Sequence, residues 1–109
     1  MNNVEFHEVL CKLIHATYIK KNAAYGNSFG DTYQRLGIIS AVTRITDKYN
    51  RLVTLATKPK IDDFGESIVD TLLDMANYCL MTVIEMEGKH SEDYKKQLNM
   101  PTEVHSENS

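Results

Sequence analysis

The segment Glu66–Glu87, ESIVDTLLDMANYCLMTVIEME, decides the fold. Apolar residues recur at helical spacing through it (Ile68, Val69, Leu72, Leu73, Met75, Ala76, Cys79, Leu80, Met81, Val83, Ile84 and Met86) and cover most of a helix circumference. A helix apolar on nearly every side is either central in its domain or shared with a second copy. One polar row interrupts it. Glu66, Asp70 and Asp74 stand four residues apart and Asn77 follows three later, so all four fall along one slowly drifting stripe. Like charges at i,i+4 repel by a few tenths of a kcal/mol per pair, and an unmatched acidic row weakens its own helix. Something positive should face it: a metal ion, basic side chains, or both.

Outward from this helix, the chain reads as all-α. Phe6, Val9, Leu10, Leu13, Ile14, Tyr18 and Ile19 define an amphipathic first helix from Val4 to about Ala23. Asn2 or Asn3 supplies its cap, and Lys20 and Lys21 complement its carbonyl end. The stretch Lys21–Tyr33, KNAAYGNSFGDTY, then breaks the pattern: Gly26-Asn27 and Gly30-Asp31 are turn dipeptides. Three aromatics are unusual for a solvated loop, so some of Tyr25, Phe29 and Tyr33 either pack inward or cover a ligand. A second main helix spans about Ile38 to Ala56, with Ser40 or Asp31 among its candidate caps. Its apolar seam is Ile38, Val42, Ile45, Tyr49, Leu52 and Ala56. A polar stripe of Arg44, Asp47, Lys48 and Arg51 runs along another face.

Lys58-Pro59-Lys60 ends that helix. Asp62 and Asp63 can open the next, and Gly88 is placed as its C′ stop. A short polar helix follows Ser91, and the residues after Leu98 form a polar, disordered tail. The expected architecture is one all-α domain over residues 1–98, a bundle of three main helices plus a short C-terminal helix, completed by oligomerisation to a dimer or tetramer. Residues 99–109 form the tail.

Bulk properties exclude several classes. With 109 residues and a net charge of −3, the chain is one domain without the basic surface of a general nucleic-acid coat. No run reaches the roughly 18 apolar residues of a membrane span, and the start MNNVEFHEV lacks the basic and apolar regions of a signal peptide. Cys11 and Cys79 lie in apolar helical contexts and read as reduced core cysteines of a cytoplasmic protein. The four histidines share no ligand spacing, and no phosphate-loop, dinucleotide or nucleophile-elbow motif is present.

The chemistry left open is that of phosphates. A hard cation such as Mg²⁺ takes carboxylate oxygens and completes its shell with water and substrate phosphate. Neighbours in the Glu66, Asp70, Asp74 series can share an ion, and Asp47 adds a ligand if the two helices are antiparallel. Arg44, Lys48 and Arg51 would then lie beside the same groove, gripping phosphate oxygens. The plainer possibility is an Asp–Arg network between packed helices, with no ligand.

KNAAYGNSF, ITDKYNRL and ESIVDTLLDMANY, in that order, resemble the first nucleotide-modification-associated domain family of bacteriophages and their hosts. The resemblance covers roughly Lys20 to Glu87. More distantly, the acidic helix is similar to that of the all-α MazG-like and dimeric dUTPase-type nucleoside triphosphate pyrophosphatases. Those enzymes hold Mg²⁺ on paired acids of neighbouring helices. Glu66 and Asp70 match the outer acids of one pair, Ser67 replaces the inner glutamate, and Asp47 alone stands for the other pair.

This resemblance implies an Mg²⁺-dependent pyrophosphohydrolase acting on (deoxy)nucleotides. Asp47, Glu66 and Asp70 would be catalytic, and Asp74 would join them on the metal. Arg44, Lys48 and Arg51 would hold phosphates, while Asn22, Tyr25, Asn27, Ser28, Phe29 and Asn77 would contact the nucleotide. The alternative is a noncatalytic sponge, by which a phage sequesters a nucleotide-derived immune signal of its host.

Overall fold

The computed structural model describes residues 1–58 and 64–101; the side chains of residues 64–67 are outside that description. Within it lie five α-helices, α1 (Asn3–Tyr25), α2 (Ser28–Leu36), α3 (Ile38–Thr57), α4 (Phe64–Glu87) and α5 (Ser91–Gln97), with a 3₁₀ turn at Gly88–His90. The fold is all-α. Asp62, Asp63 and the tail beyond Pro101 fall outside the described residues.

The α1 N-terminus closes as a capping box: Asn2 Oδ1 accepts from Glu5 N–H at 2.8 Å, and Glu5 accepts from Asn2 N–H at 3.1 Å. The helix runs two residues beyond its expected end and stops at Gly26, whose φ of 68° is the left-handed region. Lys20 and Lys21 therefore do not occupy the last turn. The next segment is helical where a loop was expected. Gly26-Asn27 makes the turn, but Gly30-Asp31 lies inside α2, because Asn27 Oδ1 caps that helix by accepting from Gly30 N–H at 3.2 Å. A local side-chain bond thus recruits the second glycine into a helix, giving a fourth substantial helix.

Gly37, at φ 77° and ψ −167°, joins α2 to α3. It caps α3 without a side-chain bond, and Ser40 instead donates its Oγ–H to the Gly37 carbonyl at 2.8 Å. Lys58 leaves α3 in an extended conformation, as the residue before a proline must. α4 ends before Gly88, but that glycine enters a 3₁₀ turn rather than a left-handed cap. Tyr94 of α5 donates to Glu87 at 2.7 Å, which pushes its phenol pKa up. That contact is fully present below the ordinary phenol range and is lost as pH rises through the raised value above it.

α3 packs along α4, α2 lies across both, and α1 meets α4 over a shorter stretch. The α3–α4 pairing is antiparallel: Arg44 reaches Tyr78, Lys48 reaches Asp74 and Arg51 reaches Thr71. The buried side of α3 follows Ala41, Ile45, Lys48, Leu52 and Leu55, a rotation from the expected seam; Ile38, Val42, Tyr49 and Ala56 are exposed. The α3 polar residues that reach across to α4 set this rotation.

Among the described residues, Phe29 and Ala41 are the buried apolar side chains. Phe6, Val9 and Leu13 of α1 are exposed, as are Val69, Leu72, Leu80, Val83 and Met86 on the side of α4 away from α3. Cys11 and Cys79 are free, but exposed rather than in a core. No described helix is long and apolar enough to cross a membrane.

Gly37 occupies a backbone region essentially reserved for glycine, and an added Cβ would meet nothing within 4 Å. Gly37→Ala is therefore expected to lose about 1–3 kcal/mol through backbone strain alone. Gly88→Ala, at an exposed site with no positive φ, should stay within about 0.5 kcal/mol of the parent in urea titrations.

Candidate functional site

A cavity of about 170 Å³ opens where the C-terminal end of α1, the start of α2, and facing turns of α3 and α4 converge. α1 contributes Tyr18, Lys21, Asn22 and Tyr25, at steps of three and four along one stripe. The Gly26 turn and the first residues of α2 add Asn27, Ser28 and Phe29. Arg44 comes from α3, and Asp74, Asn77, Tyr78 and Met81 from α4. The glycine-broken link between α1 and α2 has a direct consequence for the site. It folds Phe29 back against Tyr78, with ring centroids 5.9 Å apart and planes tilted by 30°.

Tyr78 also meets positive charge. The Arg44 guanidinium lies 5.9 Å and the Lys48 ammonium 5.8 Å from the ring centroid, contacts worth about 0.5–1 kcal/mol each at an exposed site. Arg44 also reaches the Tyr78 hydroxyl at 3.5 Å. Asp74, half-buried, is matched on both oxygens: Lys21 of α1 lies 3.6 Å from Oδ1, and Lys48 of α3 lies 3.3 Å from Oδ2. Among the described residues these are the ion pairs that join helices distant in sequence; the remaining pairs are local.

Two amides present opposite hydrogen-bonding groups. Asn77 donates Nδ2–H to the Ile14 carbonyl at 2.9 Å, which leaves its carbonyl oxygen as an acceptor. Asn27 uses its oxygen on Gly30 N–H and keeps its NH₂ as a donor.

A second cavity of about 400 Å³ lies between α1 and α4, lined by Leu13, Ile14, Thr17, Asp70, Leu73, Asp74 and Asn77. Asp74 and Asn77 thus form a wall common to both spaces.

The residues inferred from the sequence divide accordingly. Asn22, Tyr25, Asn27, Ser28, Phe29, Arg44, Asp74 and Asn77 come together in the first cavity. Lys48 stands behind it on Asp74. Arg51 lies a turn further along α3, donating to Thr71 at 3.2 Å, and lines neither cavity. Asp47 is exposed and lines neither, so the antiparallel pairing does not carry it to the acids of α4. Asp70 opens on the second cavity, and the Glu66 side chain is outside the described residues. Among the described residues no three acidic, histidine or cysteine side chains gather in one cluster. The donor chemistry at Asp74 agrees with this, since lysine ammonium groups face both of its oxygens. Of the four acids expected to hold Mg²⁺, Asp70 and Asp74 share the wall of the second cavity, Asp47 lies apart from both cavities, and the Glu66 side chain lies outside the described residues.

Five lining residues fall outside the inferred set: Tyr18, Lys21, Gly26, Tyr78 and Met81. Tyr78 was accessible, because it stands four residues after Asp74 on the same stripe. Tyr18 and Lys21 lie within the expected first helix, where they read as part of its apolar face and as a complement to its carbonyl end. Met81 carries no mark that separates it from its apolar neighbours.

A family model described as nucleotide modification associated domain 1 matches residues 21–86. The chain belongs to that family. The matched span takes in every residue lining the first cavity except Tyr18. No curated protein and no solved structure matches the chain.

Gly30 is buried, and an added Cβ would fall within 2.7 Å of Asn27 Cγ. Gly30→Ala is expected to cost about 1–3 kcal/mol by overpacking. In an Asn27→Ala background, where the obstruction is gone, the same substitution should cost clearly less; a double-mutant cycle in urea measures the difference.

Proposed function

We propose that this protein binds a nucleotide in the cavity between α1, α2, α3 and α4. The observation that carries the proposal is the combination lining one small space: aromatic faces (Tyr18, Tyr25, Phe29, Tyr78), a free amide donor and a free amide acceptor (Asn27, Asn77), and the cations Lys21 and Arg44. Aromatic walls stack bases, worth about 1–3 kcal/mol per base. The amide pair suits a base edge that carries both an acceptor and a donor. The cations suit phosphate. At about 170 Å³ the space is smaller than the roughly 300–1,000 Å³ of complete small-molecule sites. It therefore encloses a base or sugar and leaves the phosphate at its rim. The family description supports the same class of ligand.

A second reading, Mg²⁺-dependent hydrolysis of a nucleoside triphosphate to monophosphate and pyrophosphate, rests on Asp70 and Asp74 both lining the second cavity. The donor set favours binding over this reaction. Sequestration of a nucleotide-derived signal is the biological form that binding without turnover would take.

The exposed apolar rows support self-association. Val69, Leu72, Val83 and Met86 on α4 fall on a three-and-four spacing, and soluble monomers rarely leave such rows uncovered. A second copy covers them in our reading.

Two measurements test these proposals. Mass spectrometry of nucleotides released from denatured protein, together with pyrophosphate assays over a deoxynucleoside triphosphate panel with Mg²⁺, separates the two readings. Binding predicts an intact nucleotide and no pyrophosphate. Turnover to monophosphate contradicts binding alone, and absence of any nucleotide affinity contradicts both. Arg44→Ala should weaken nucleotide affinity about tenfold or more while leaving the fold intact. Sedimentation equilibrium should give at least twice the chain mass at micromolar concentration; a monomer there would contradict the shared apolar face.

A further inference from the structure

Resting on the nucleotide-binding reading, we propose that the site is built for the phosphomonoester of a nucleoside monophosphate and takes it without a divalent metal, Lys48 acting as a positioning residue that neutralises Asp74 from outside the cavity.

The two lysines on Asp74 are not equivalent. Lys48 is 27% exposed, lies 3.3 Å from Oδ2 and lines neither cavity. Its position over the Tyr78 ring, 5.8 Å from the centroid, holds it there. Lys21 is 60% exposed, lies 3.6 Å from Oδ1 and lines the cavity. Exposed ion pairs contribute little, so a phosphate can draw Lys21 from Asp74 at small cost. Lys48, with no opening onto the ligand, remains.

Charge then names the phosphate. With Asp74 cancelled by Lys48, the cavity presents Lys21 and Arg44, two positive charges. A phosphomonoester carries roughly −1.5 to −2 at neutral pH, which these two cations match. A triphosphate brings more negative charge than this wall neutralises and would need added cations. The metal alternative requires Asp74 to release both lysines.

Calorimetry on the full chain tests this with mono-, di- and triphosphates of the four deoxynucleosides, each in EDTA and in Mg²⁺. At least one monophosphate should bind in EDTA, with an affinity that Mg²⁺ changes less than about threefold and no weaker than its triphosphate. Lys48→Met should weaken that monophosphate roughly tenfold, by leaving Asp74 uncompensated beside the phosphate. Adding Asp74→Asn to Lys48→Met should restore affinity to near wild type, which a direct Lys48–phosphate contact would not allow.

Binding that requires Mg²⁺, or a double variant as weak as Lys48→Met alone, overturns the proposal while the nucleotide-binding reading stands. The Mg²⁺ comparison uses wild-type protein and so does not depend on either variant folding. If none of the twelve nucleotides binds wild type under either condition, both fall.

Discussion

Asp74 sets the terms for the rest of this structure. A half-buried carboxylate in the most apolar helix of the chain must be matched, and it is matched from two directions: Lys48 of α3 and Lys21 of α1. The first contact is the middle rung of an antiparallel ladder that continues to Arg44–Tyr78 on one side and Arg51–Thr71 on the other. The second, with the bond from Asn77 to the Ile14 carbonyl, ties α1 to α4 where apolar packing between them is slight. Single exposed pairs are weak, with median values of about 0–1 kcal/mol. Their effect is therefore less on stability than on register and on which side chains converge.

That convergence explains why the site lies where it does. α4 offers one polar face and several apolar ones, and the polar face is the one on which α1 and α3 meet. α2 closes the end, because Gly26 turns the chain and Asn27 caps the next helix over Gly30. The aromatic and amide residues of KNAAYGNSF thereby reach the same space as the cations of α3. In the proposed reading, binding and folding use the same residues, so a ligand phosphate would compete for Lys21, which also joins α1 to Asp74 of α4.

Much of this was legible in the sequence, for identifiable reasons. The all-α class, the limits of α3 and the Asn2 cap follow from strong periodicity and side-chain chemistry. The inward packing of Phe29 follows from aromatics placed among turn residues. What was not legible turns on local competition and on helix rotation. The Gly30-Asp31 dipeptide signals a turn, yet the cap bond from Asn27 places it in a helix. The seam through Ile38, Val42 and Tyr49 is a sound apolar stripe, but α3 turns Ala41, Ile45 and Lys48 toward α4 and leaves that stripe outside. Periodicity marks apolar faces; it does not say which one meets the neighbouring helix and which awaits a second copy. The same rotation separates Asp47 from the α4 acids. Of the acidic row on α4, Asp74 is the carboxylate that lysines hold.

The central claim is that a nucleotide occupies the space beside Asp74, with its phosphate on Lys21 and Arg44. A crystal structure of the protein grown in EDTA with a bound deoxynucleoside monophosphate tests it most directly. The base should lie against Phe29 or Tyr78, the phosphate within hydrogen-bond reach of Lys21 and Arg44, and Lys48 still on Asp74. A nucleotide lodged between α1 and α4 beside Asp70, or a phosphate resting on Arg51, would contradict it.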